Sequence, residues 1–156
     1  MQLEKKLLVE IAWEVCNQVG GIYTVIRSKA PAMVDMWGEN YCLIGPLFPG
    51  RMPAEFEPTD KYNDAFGRAV LKMQKLGFEV HYGYWLVSGK PKVILINFAP
   101  IYSPLHEVKY FLWENHKIDT SHYDELVDQT IAFGEVVKQL LEQLAQPGTT
   151  TKKIHA

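Results

Sequence analysis

Apolar positions along the chain change their spacing in a regular way: short, nearly continuous runs alternate with stretches where they recur every three or four residues. Leu7 to Ala12, LLVEIA, is apolar except for Glu10, which suits a strand buried on both faces of a parallel sheet. After Gly20 and Gly21, a helical repeat runs through Ile22, Val25, Ile26 and Lys29. Pro31 is expected to end that helix at Ala30 and to open a second short one reaching Trp37. YCLIG, Tyr41 to Gly45, lies between the turn-rich WGEN and GPLFPG and reads as a second strand. From Pro46 to Asp60 periodicity disappears and Pro46, Pro49, Pro53 and Pro58 occur, which predicts a surface loop, kept as a candidate acceptor-side element.

Helical spacing returns over Tyr62 to Leu76, with Phe66, Val70 and Met73 on one face and Gly77 as the C-terminal cap. EVHYGYWLV and KVILINF flank the turn SGKP and read as two strands joined by a hairpin, an antiparallel element in an otherwise α/β pattern. Val108 to His116 is a short helix. The longest repeat starts at Ser121, a candidate cap with Asp124 in the first turn. It runs through Tyr123, Leu126, Val127, Ile131, Gly134, Val137, Leu141 and Leu144 to near Ala145. Lys153 to Ala156 looks like the lead-in of another strand. The fold class is therefore α/β: a Rossmann-like open sheet, mostly parallel, with an antiparallel hairpin element.

With 156 residues, 47% of them hydrophobic and 22% charged, the chain suits one compact domain with a real core. A net charge of −2 and the absence of a Lys/Arg cluster argue against nucleic acid as a partner. No apolar stretch is long enough to cross a bilayer, and MQLEKKLLVEIA lacks a signal peptide's apolar middle and cleavage site, so a cytoplasmic location is expected. Cys16 and Cys42 fall in no metal-ligand spacing and read as reduced, structural thiols. His81, His106, His116 and His122 share no metal-like spacing either, and no metal or cofactor is implied.

Strand, Gly20-Gly21, helix is a geometry that aims backbone N–H groups at an anion, and glycine permits close approach. The same two residues also serve a plain strand-to-helix bend, so the turn alone leaves both readings open. A dinucleotide fingerprint is incomplete: there are two glycines rather than three, and Glu39 precedes the second strand where it should follow it. Nor does a lysine follow Gly21, as a phosphate-loop NTPase requires.

VEIAWEVCNQVGGIYTVIRSKA followed by WGENYCLIGPL resembles the amino terminus of glycogen synthases of the animal and fungal type. GYWLVSGKPKVILINF, LWENHKID and YDELVDQTIAFGEVV resemble further segments of that family in the same order, so the likeness extends over nearly the whole chain from Leu7. The resemblance implies a retaining glucosyltransferase of two Rossmann-like domains, the GT-B fold. Residues 1–156 would be its single amino-terminal, acceptor-side domain, apparently truncated, with the carboxy-terminal nucleotide-binding domain absent and the fragment alone inactive. It also implies a nucleotide-glucose donor, UDP-glucose in preference to ADP-glucose, an α-glucan acceptor, and a full-length protein that could be a homo-oligomer. By the same resemblance Gly20 and Gly21 approach the donor phosphates. The position before VGG, usually Lys or Arg in the family, is Gln18 here; an amide offers a neutral hydrogen bond where a cation would stabilise a departing diphosphate. His155 is not the family's histidine beside the reacting sugar, whose segment would begin after Ala156.

Trp13, Glu14 and Asn17 follow the first strand, at the sheet edge where open α/β folds bind ligands, and are candidate site-lining residues. Each also has a structural reading: Trp13 and Glu14 as packing or pairing groups, Asn17 as a turn residue. The aromatics of HYGYWLV and YFLW could form platforms for glucose rings, but alternating aromatics in a strand usually pack. A non-catalytic module that binds glucan or a partner is the competing class of function. A nicotinamide-dependent oxidoreductase is disfavoured by the incomplete fingerprint.

Overall fold

The computed structural model describes residues 5–122 and 124–156. Six strands form one sheet in the order β3-β4-β5-β2-β1-β6: β1 Lys6–Ile11, β2 Tyr41–Leu47, β3 Phe56–Pro58, β4 Val80–Trp85, β5 Lys92–Asn97 and β6 Lys153–His155. β5, β2, β1 and β6 run parallel, whereas β4 is antiparallel to β5 and β3 to β4. The expected mostly parallel sheet with an antiparallel hairpin is thus present, and the strand lead-in at Lys153 is β6. The helices are α1 Gly21–Trp37, α2 Ala65–Lys75, α3 Leu105–His116 and α4 Glu125–Ala145.

Alternation along the central strands builds a core on each face of the sheet. In β2, Cys42 and Ile44 join Phe66, Val70 and Met73 of α2 and Phe133, Val136 and Leu140 of α4. Tyr41 and Leu43 face the other way, joining Tyr23 and Ile26 of α1 and Trp85 and Leu95. With both faces covered, the near-continuous apolar runs of β2 and β5 are what burial requires. Glu10, the acidic residue in β1, is held by the Lys29 ammonium of α1 and by the Tyr41 hydroxyl, which fastens α1 to the sheet.

Several expectations need correction. Pro31 does not divide α1: one helix runs through it to Trp37. Tyr23 and Ile26 before the proline and Met33, Val34 and Trp37 after it pack on the same core, which outweighs an interior proline's cost of about 3 kcal/mol. The buried stripe of α1 is accordingly Tyr23, Ile26 and Ala30, while Ile22 and Val25 are exposed. β2 continues past Gly45 through Pro46 and Leu47. Proline is tolerated there because β1 pairs β2 only as far as Ile44, so the missing N–H has no ladder partner to lose. The loop over 46–60 contains β3, with Pro58 on the outer edge of the sheet.

α4 begins later than expected. Its cap is Asp124, whose carboxylate accepts from the Leu126 and Val127 N–H groups, and Ser121 lies outside the helix. Its core stripe is Ala132, Phe133, Val136, Val137, Leu140 and Leu144, leaving Leu126 exposed and Gly134 on the outer side. Tyr123 lies outside the described residues. No described helix is long and apolar enough to cross a membrane.

α2 is anchored by an ionic cluster. Asp64, its cap, accepts from the Gly67 N–H at 2.7 Å, from the Tyr82 hydroxyl at 2.6 Å and from the Lys92 ammonium at 2.7 Å. The Lys92 side chain is 8% exposed and also meets Glu39. Burial would raise the Asp64 pKa, but the bonds from Lys92, Tyr82 and Gly67 outweigh it and hold the carboxyl below its usual range. Burial would likewise lower Lys92, and its bonds to Asp64 and Glu39 raise it instead.

Candidate functional site

β1 and β2 end at the same edge of the sheet, and the loops that follow them enclose a cleft of about 440 Å³. The chain's order along the sheet reverses at β1, with β2 on one side and β6 on the other, and ligands of open α/β sheets bind at such reversals. Asn17 and Gln18 line the cleft from the β1–α1 loop, Tyr23 from α1, and Phe48, Arg51, Met52 and Glu55 from the loop after β2. Close approach of backbone makes this possible: a Cβ on Gly45 would lie 2.7 Å from the Val15 Cβ and 2.8 Å from the Val15 carbonyl oxygen. Gly45→Ala should therefore push the β1–α1 loop off the sheet and destabilise the domain by about 1–3 kcal/mol, read as a lower urea midpoint.

The turn itself is organised by Glu14. Gly20, the N-cap of α1, has no side chain to cap with, and the Glu14 carboxylate takes that place. It accepts from the N–H groups of Gly20 at 2.7 Å, Tyr23 at 3.1 Å and Val19 at 3.3 Å. These bonds, that from Gly20 foremost, hold the Glu14 carboxyl below its usual pKa against the opposing effect of burial, as a carboxylate at a helix N-terminus should be. A folded-state pKa below the unfolded one contributes stability above the unfolded value and loses it as pH falls through the folded value. Glu14→Ala is expected to lower stability at neutral pH and to flatten the acid limb of the stability curve, measured by urea unfolding between pH 3 and 7.

Gly21 is left outside this arrangement. Its N–H has no acceptor among the described residues, and a Cβ built on it meets nothing within 4 Å. The turn thus offers an incoming anion the Gly21 N–H and open space, while the neighbouring N–H groups are already committed to Glu14. Gln18 is exposed and lines the adjoining cleft with its neutral amide.

Trp13 points elsewhere: its ring packs 5.5 Å from Phe48, 5.5 Å from Phe98 and 5.6 Å from Phe133, joining the loop to the core. Asn17 donates from its amide to the Trp13 carbonyl oxygen at 3.1 Å, a turn contact made from the cleft wall. Cys16 is buried in a left-handed conformation at φ 55°, and burial pushes its thiol pKa up, which keeps it a protonated packing group. Among the described residues no group of three or more His, Cys, Asp or Glu side chains could hold a metal ion.

The two charged residues of the cleft, Arg51 and Glu55, were not among the sequence candidates, nor were Tyr23, Phe48 and Met52; Arg51 and Glu55 both lie on the irregular loop after β2. The Glu55 carboxylate accepts from the Tyr23 hydroxyl at 2.7 Å and from the Trp85 indole N–H at 3.0 Å. Burial would raise its pKa, and the Tyr23 and Trp85 bonds lower it on balance. The proline-rich composition marked the loop, but nothing in it marked which side chains return to α1.

The family model described as glycogen synthase matches residues 10–156. That covers nearly the whole fold, including the turn and both walls of the cleft. The chain belongs to the glycogen synthase family. Its sequence is 41% identical over 144 residues to the glycogen [starch] synthase, liver, of Homo sapiens, which is 92% of this chain and 20% of that protein. It is 36% identical to the glycogen [starch] synthase of Caenorhabditis elegans over 94% of this chain and 22% of the relative. The Dictyostelium discoideum glycogen [starch] synthase is also 36% identical, over 95% of this chain and 16% of the relative. This glycogen synthase family chain thus spans about a fifth of the length of the curated relatives it matches.

Proposed function

We propose that this chain is the amino-terminal, acceptor-side domain of a two-domain GT-B enzyme that transfers glucose, with retention, from a sugar nucleotide to the non-reducing end of an α-1,4-glucan. The observation that carries the reading is the open Gly21 N–H at the carboxyl edge of the parallel sheet, in a chain that belongs to this family. In the transfer the bond from the glucose C1 to the donor phosphate oxygen breaks, and its electron pair leaves with the diphosphate. A bond forms from C1 to the hydroxyl oxygen of the terminal glucose of the acceptor, and the hydroxyl proton passes to the departing phosphate. The turn's part is to let the phosphates come close to backbone at Gly21, beside the Gly20 N–H that Glu14 holds, and to meet developing negative charge with the Gly21 N–H. The second domain would bind the base and close over the donor.

UDP-glucose is proposed as the donor. The test is glucan elongation by the full-length protein with UDP-glucose and ADP-glucose in parallel. The expected result is a kcat/KM at least about tenfold higher with UDP-glucose, with newly formed α-1,4 linkages. The reverse preference overturns the nucleotide assignment. Glucan binding without transfer from either donor overturns the enzyme and favours a binding module, a reading that the neutral Gln18 beside the turn supports.

A further inference from the structure

We infer that Arg51 is the residue of this domain that meets the charge of the donor diphosphate, a role that rests on the transferase reading above. Three observations converge on it. First, Glu14 already holds the Val19, Gly20 and Tyr23 N–H groups and adds a fixed negative charge at the turn, so the N-terminus of α1 has little left for an anion beyond the Gly21 N–H. A phosphate approaching that turn requires a cation close by. Second, Gln18 and Asn17, on the turn's side of the cleft, are neutral amides.

Third, Arg51 stands on the opposite wall of the same cleft, exposed, and its side chain has no ion pair, hydrogen bond or ring partner among the described residues. A tight turn presents it: the Arg51 N–H donates to the Phe48 carbonyl at 3.1 Å, and Gly50 takes the left-handed φ of 72° that the reversal needs. Glu55 shares the cleft, but its carboxylate is tied to Tyr23 and Trp85 and makes no ion pair with Arg51. Arg27 of α1 lies over the Tyr23 ring at 5.9 Å and lines a different recess with Thr24, Ser28 and Pro31, and its charge is spent on helping to lower the Glu55 carboxyl pKa. A guanidinium free of protein partners can form paired hydrogen bonds to phosphate oxygens without first breaking a salt bridge.

The experiment compares Arg51→Gln, Arg27→Gln and the double variant Arg51→Gln with Gln18→Lys in the full-length protein, following glucose transfer over a range of UDP-glucose concentrations. Arg51→Gln should lower kcat/KM for the donor by about tenfold to a hundredfold and leave KM for glycogen unchanged. Arg27→Gln should behave as wild type. Placing a lysine at position 18 should recover at least part of the loss, because it restores a cation to the same cleft from the facing wall. Arg51→Gln within twofold of wild type, in an enzyme that Gly21→Trp inactivates, overturns the role of Arg51 and leaves the transferase reading standing. Loss of activity in Arg51→Gln that appears in the KM for glycogen, or that Gln18→Lys leaves wholly unrepaired, also overturns it. An unsubstituted protein that transfers no glucose overturns both.

Discussion

Gly21→Trp in the full-length protein should reduce glucose transfer to background while leaving the domain folded. A Cβ at Gly21 meets no atom within 4 Å and the residue is exposed, so an indole there has room to stand in solvent and disturbs no core packing. What it occupies is the space the proposal gives to the donor diphosphate, where backbone must come within hydrogen-bond distance of phosphate oxygens. Blocking that approach, and with it access to the N–H of residue 21, should cost about a thousandfold in kcat. Circular dichroism and the urea midpoint of the variant should match the wild type. Gly21→Ala is the graded companion: its methyl group should spare the fold equally and cost activity far less, because it fills only part of the same space.

The second large effect concerns stability. Asp64→Ala removes the acceptor from three donors at once, the Gly67 N–H that starts α2, the Tyr82 hydroxyl and the buried Lys92 ammonium. Breaking a buried pair from one side leaves an uncompensated charge, with Glu39 alone remaining to face Lys92. The expected loss is about 3–5 kcal/mol, a large fraction of the stability of a domain this size. The pH dependence carries the signature of the cluster. The Asp64 pKa is depressed in the folded state, so its contribution is complete above the unfolded carboxyl value of about 3.9 and disappears as pH falls through the folded value. Lys92 is raised, so its contribution is complete below about pH 10.4 and is lost as pH rises through the folded value. Urea unfolding of wild type should weaken at both extremes, and Asp64→Ala should flatten the curve at both.

The layout of the sheet was legible because its strands are apolar runs of ordinary length bounded by turn residues. β1, the hairpin of β4 and β5 and the cap of α2 by Gly77 all rest on such local signals, Gly77 having a left-handed φ of 93°. Local signals misled where tertiary packing chose between two plausible faces. α4 carries apolar residues on more than one side: the sheet took Val137 and Leu144 of the expected row, with Ile131 and Leu141 at its margin, but centred on Ala132, Phe133, Val136 and Leu140 and left Leu126 exposed. β3 was hidden because a three-residue edge strand ending in proline has no period to detect.

The candidate site divides in the same way. The glycine turn announces itself by Gly20 and Gly21, yet the group that organises it, Glu14, lies six residues upstream of Gly20, outside the spacing of a capping box. Arg51 and Glu55 reach the cleft only because β2 brings the end of its loop alongside the end of β1, a pairing more than thirty residues apart in sequence. Gln18 was visible from the start as a neutral residue at the mouth of the turn, whereas Arg51, which lines the same cleft and has no side-chain partner among the described residues, had no signal in the sequence.

The most direct measurement is incorporation of labelled glucose from UDP-glucose into glycogen by the full-length protein, wild type beside Gly21→Trp at matched folded concentration. The account predicts steady incorporation by the wild type, with the label released by an exo-acting α-1,4-glucosidase, and none above background for the variant. Wild-type rates in Gly21→Trp would contradict the placement of the donor phosphates at this turn.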